Sequence, residues 1–105
     1  LMTEFDVLVC PTVTSNKLTA GFNPASDDYV VNGKVQDVDL TISTCHIFNM
    51  MGRCPAISVP SGIGDNGVPT GLHIVSKAYD DVAVFRVAAA FEKTWEKPFL
   101  PALPA

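Results

Sequence analysis

The sequence is short of charge, of cysteine and of long apolar runs, and each shortage removes a class of function. Of its 105 residues only 17% are charged, against about 25% in an average soluble chain. Seven basic and eleven acidic side chains leave a formal net charge of −4, with no basic run anywhere. Neither a nucleic acid nor an anionic membrane is therefore an expected partner. The apolar stretches fall short of the roughly 20 residues that span a bilayer. No signal-peptide pattern opens the chain, and Leu1 stands where an initiator methionine would. Three cysteines, Cys10, Cys45 and Cys54, cannot all pair within one chain. That argues against a secreted disulfide scaffold and for the cytoplasm. No Walker loop, Gly-x-Ser-x-Gly elbow, Cys-x-x-Cys or His-x-x-x-His occurs. A phosphate cradle, an elbow nucleophile and a metal site thus lack support, and no cofactor is expected.

What is present is oily. A mean hydropathy of +0.26 is high for one small domain, in which surface should dominate. Either the charges crowd onto little exposed surface, or part of the chain lies against protein outside it. Phe5–Cys10, ended by Pro11, reads as a strand with Phe5, Val7 and Val9 on one face and Leu8 and Cys10 on the other. Apolar on both faces, it is expected to be a central strand covered on both sides. Residues 12–39 form a loop excursion. Within it Tyr29–Val35 predicts a surface hairpin, because Asn32-Gly33 supplies the two positive-φ residues of a type I′ turn. The acids around it, Asp27, Asp28, Asp37 and Asp39, read as solvated loop charges.

Leu40–Met51 reads as a short helix that starts near Thr41 or Ser43 and stops at a left-handed Gly52. Pro55–Pro60 and Thr70–Ser76 read as strands paired antiparallel across the Gly64–Pro69 connection, with Asp65-Asn66-Gly67 as the turn. Asp80 or Asp81 caps a last helix that runs towards Lys97 and is stopped by Pro98. Between Val82 and Phe91 its one charged residue is Arg86. Val82, Phe85 and Ala89 make one apolar stripe; Val84, Val87 or Ala88, Phe91 and Trp95 make another. A helix apolar nearly all round is buried nearly all round, and two or three strands cannot cover it.

Catalytic arrangements are scarce. Cys45 and His46 are neighbours on a predicted helix and point about 100° apart, so they make no nucleophile–base pair. Cys45 reads instead as a core thiol. Ser76 and Lys77, adjacent on a strand, face opposite sides.

One stretch speaks of a family. Phe48-Asn49-Met50-Met51-Gly52-Arg53-Cys54-Pro55-Ala56-Ile57-Ser58-Val59-Pro60-Ser61-Gly62, followed by Asn66–Val75, resembles the C-terminal region of the amidase signature enzymes. Phe5–Thr12 is similar to an earlier strand of that family, and Tyr79–Glu92 to its capped final helix. The resemblance implies an α/β fold: the C-terminal part of an α/β/α sandwich around a mixed sheet, with about three core strands, a surface hairpin and two helices. Residues 1–105 would be one partial domain, with the motif-bearing part at 40–97 and a tail at 98–105.

It also implies a function for the intact protein, hydrolysis of a carboxamide by a Ser–cis-Ser–Lys triad. No Ser-Ser dipeptide or Gly/Ser-rich run lies in these 105 residues, so no catalytic residue is expected here. The segment would scaffold the sheet and wall part of the pocket. Its partners would be the remainder of an amidase chain and a small amide substrate, with a homo-oligomer left open. The alternative is a non-catalytic binding or assembly module derived from that region.

Two departures from the family stand out. His73 replaces the usual glutamine, and a neutral imidazole supplies one amide hydrogen bond but not both. The aspartate of the tRNA-dependent branch has its nearest counterpart in Asp39, a few residues too early, which favours a general amidohydrolase over a transamidase. The expected substrate-pocket residues are Pro11 and Thr12, at a strand end where open α/β sheets place ligands, with His46 and Asn49 on the helix after the flap. No metal ligand is expected.

Overall fold

A computed structural model describes residues 2–95. The tail at 98–105 lies outside them, whereas the last helix ends inside them, at Glu92 with Lys93 as its C-cap, short of the expected run towards Lys97 and before Pro98 could stop it. The chain is mixed α/β. Strand β1 (Val7–Pro11) is followed by the hairpin β2 (Tyr29–Val31) and β3 (Lys34–Gln36). Two short helices, α1 (Val38–Thr41) and α2 (His46–Met50), lead to β4 (Ala56–Ile63), β5 (Pro69–Ser76) and the helix α3 (Asp81–Glu92).

The hairpin turn is as expected: Asn32 and Gly33 have φ of 51° and 75°, the positive values of a type I′ turn. β4 and β5 pair antiparallel, with Ile57 opposite Ile74 and Ser58 opposite His73. Gly62–Gly67 spells Gly-x-Gly-x-x-Gly. Here it only turns β4 into an antiparallel β5, whereas dinucleotide binding needs a strand entering a helix.

β1 departs from its expected central place. The sheet order is β1-β5-β4, so β5 is central and β1 an edge among the described residues. β1 runs antiparallel to β5, with Val9 opposite Ile74 and Cys10 opposite His73. The two-faced apolar pattern therefore belongs to a strand whose outer edge carries no partner among these residues.

The expected helix over Leu40–Met51 is two helices. Asp37 caps α1, its carboxylate accepting from Leu40 N at 3.0 Å. Between α1 and α2 the hydroxyl-bearing residues bond to the chain beyond β1 instead of continuing a helix. Ser43 Oγ donates to Thr12 O at 3.4 Å, Thr44 N to Thr12 O at 3.2 Å, and Thr44 Oγ1 to Pro11 O. Gly52 is not left-handed: α2 ends at Met51 (φ −89°, ψ 38°) and the chain leaves through a turn closed by Cys54 N on Met51 O.

α3 packs on one face of the sheet. Asp80 caps it, accepting from Ala83 N at 3.3 Å. Val84 and Ala88 are buried with Val59 and Ile74, and Val87 and Phe91 close around them with Val7, Ile57 and Leu72. The second apolar stripe of the helix is thus the one on the sheet. The first is not covered: Val82 and Phe85 are each 64% exposed. Among the described residues fifteen large hydrophobic side chains are exposed, against six buried hydrophobic residues.

Gly71 shows how tightly β1 and β4 close on β5. A Cβ there would lie 2.7 Å from Thr12 Oγ1 and 2.9 Å from Ser58 Oγ, two hydroxyls hydrogen-bonded to each other at 2.7 Å. Gly71→Ala is expected to destabilise by about 1–3 kcal/mol through overpacking, read as a lower urea midpoint at unchanged slope.

Candidate functional site

The site is assembled around the end of β1, where the chain passes from strand to loop. Thr12 N donates to Gly71 O at 2.9 Å, and its carbonyl receives Thr44 N and Ser43 Oγ, so the segment entering α2 is stitched alongside the strand end. This brings Pro11 and Thr12 next to the helix that carries His46 and Asn49. Pro11, His46 and Asn49 are exposed, and Thr12 is half-buried. Beside the strand end opens a cleft of about 570 Å³, lined by Val9, Cys10, Pro11, Val13, Ser61 and Leu72 among others. Of the four expected pocket residues Pro11 lines this cleft; Thr12, His46 and Asn49 lie outside it.

Sequence reasoning missed the group behind Thr12. His73 lies on central β5, 4% exposed, on the sheet face opposite α3. Its Nδ1 is 3.6 Å from Cys10 Sγ on β1 and 3.6 Å from Cys45 Sγ at the start of α2. The Phe48 ring meets the imidazole edge-on, centroids 5.4 Å apart. The imidazole neighbour of Cys45 is therefore His73, not the adjacent His46, and the thiol is half-buried rather than core. Knowing the β1–β5 register would have placed Cys10 opposite His73; no local motif signals it. Among the described residues no cluster of three His, Cys, Asp or Glu side chains is suited to hold a metal ion.

Burial pulls the His73 pKa below its ordinary 6.5, because desolvation disfavours the imidazolium. The unfolded chain then binds the extra proton more readily, so stability falls as pH drops below 6.5 and levels off below the depressed folded value. The slope is at most about 1.4 kcal/mol per pH unit for one proton. Titrating the urea midpoint between pH 7.5 and 5 should show this loss, and His73→Gln should remove it.

Fold and site together define a partial α/β domain with a polar strand end and an uncovered apolar exterior. The family model described as Amidase matches residues 1–85. This chain belongs to the amidase family. It is 36% identical over 94 residues to a glutamyl-tRNA(Gln) amidotransferase subunit of Brevibacillus brevis, covering 90% of this chain and 17% of that protein. It is 39% identical over 93 residues to the protein of the same name from Lysinibacillus sphaericus, covering 89% of this chain and 17% of that protein. The chain thus spans about 17% of the length of the curated relatives it matches. No solved structure gives a significant match. No helix among the described residues is long and apolar enough to cross a membrane.

Proposed function

We propose that this chain is the C-terminal segment of an amidase-family amidohydrolase. The intact enzyme would cleave the C–N bond of a linear carboxamide. This segment would contribute an edge of the sheet and, through Pro11, Thr12, His46 and Asn49, part of the pocket wall, with no catalytic residue of its own. The carrying observation is the uncovered apolar stripe of α3, Val82 and Phe85; Val9 and Phe5 are exposed as well. In a sandwich these side chains would meet the rest of the enzyme, which would supply the triad.

A second reading is favoured by the names of the relatives: one subunit of an amidotransferase, acting on glutamyl-tRNA(Gln) within a larger assembly. A third, a free-standing binding or assembly module, would have to hide the same apolar surface by dimerising or by docking on a partner. The test is turnover of a simple aromatic amide by the full encoded chain and by the 105 residues alone. The first reading requires turnover by the full chain only. Turnover by the 105 residues overturns it. Activity of the full chain that depends on other proteins and charged tRNA favours the second.

A further inference from the structure

Two sulfurs and one imidazole meet between β1, β5 and the start of α2, and the proposed function uses none of them. Cys10 Sγ and Cys45 Sγ each lie 3.6 Å from the same atom, His73 Nδ1, so they lie within twice that distance of one another. With the ring proton on Nε2, Nδ1 accepts one hydrogen bond, and the two thiols compete for it. Their other neighbours are weak partners for sulfur: Thr44 Oγ1 stands 3.5 Å from Cys10 Sγ, and Thr12 O 3.8 Å from Cys45 Sγ. Both cysteines are half-buried and free, within reach of a small oxidant. Cys45 precedes a five-residue helix and makes no side-chain cap bond there, so its sulfur is not committed to capping that helix. Cys54, the third thiol, is not hydrogen-bonded to this imidazole.

We propose that Cys10, Cys45 and His73 form a peroxide-sensitive dithiol site, in which oxidation joins the two sulfurs and fastens the start of α2 to the sheet. In the first step Cys10 Sγ–H gives its proton to His73 Nδ1 and the thiolate attacks a peroxide oxygen. An S–O bond forms, the O–O bond breaks, and the departing hydroxide takes the proton from His73 and leaves as water. In the second step Cys45, giving its proton to the same nitrogen, attacks the Cys10 sulfenic sulfur. The S–S bond forms, the S–O bond breaks, and a second water leaves. Two thiols lose two electrons and one hydrogen peroxide gains them. Burial keeps the resting imidazole neutral and lowers its basicity, so the proton it takes is passed to the departing hydroxide within each step. The site stands independently of the reaction the intact enzyme catalyses.

The test treats the full encoded chain with hydrogen peroxide, blocks remaining thiols with N-ethylmaleimide and maps peptides without reduction. The expected product is a Cys10–Cys45 linked peptide, formed equally in Cys54→Ser. Cys45→Ser should stall with Cys10 as a sulfenic acid that dimedone traps. His73→Gln, checked for folding by circular dichroism, should slow the linkage at least about tenfold. A linkage through Cys54, over-oxidation of the cysteines one by one without a cross-link, or two unreacted thiols overturns the proposal. An unchanged rate in a folded His73→Gln overturns the part given to His73.

Discussion

Phe85→Asp is expected to remove soluble, active enzyme when made in the full encoded chain, and to make the 105-residue chain more soluble when made there. The opposite signs follow from one surface in two settings. In the chain by itself Phe85 is 64% exposed on the outer stripe of α3, so a carboxylate there meets water. Packed against the rest of an amidase fold, the same position would lose about 1.5–3 kcal/mol of apolar burial and gain an unpaired buried charge worth several more. Against a total stability of about 5–15 kcal/mol that is enough to unfold the protein. Val82→Asp, on the same stripe, should behave alike. Soluble yield, with amide turnover measured on whatever remains soluble, reads the first arm. Sedimentation of the short variants reads the second.

Ile74→Ala is expected to be the most damaging truncation within the segment itself. Ile74 is completely buried on central β5, between β1 and β4 and beneath Val84 and Ala88 of α3. Paired strands on both sides leave little room for collapse into the cavity, which puts the loss at about 2–5 kcal/mol, with Ile74→Val near 0.5–1.5. Denaturant midpoints of the two variants should fall in that order. A loss for Ile74→Ala no larger than for Ile74→Val would mean that α3 does not press on this strand.

Where local chemistry decides structure, the sequence was legible. Asn32-Gly33 dictates its turn because few other pairs tolerate two positive φ values. Asp80 announces α3, and the two apolar stripes of that helix separate as the 3.6-residue period demands, one buried and one bare. The family was legible in the run from Phe48 to Gly62. What stayed hidden depends on chain segments distant in sequence. The edge position of β1 and the meeting of Cys10 with His73 follow from a register between strands 63 residues apart, which no periodicity encodes. The break between α1 and α2 follows from Ser43 and Thr44 finding carbonyls at Pro11 and Thr12, partners invisible until the strand end is beside them. Of the four expected pocket residues, two sit on the strand end and two on α2; the Thr12–Thr44 stitch sets the strand end beside the segment entering α2, and of the four only Pro11 lines the cleft there.

Sedimentation velocity of the purified 105 residues, run with a dye that fluoresces on apolar surface, weighs the central point most directly. If the bare stripe of α3 and the open edge of β1 belong against missing protein, the chain will self-associate with rising concentration and bind dye strongly. A compact monomer at micromolar concentration that leaves the dye dark would contradict the account.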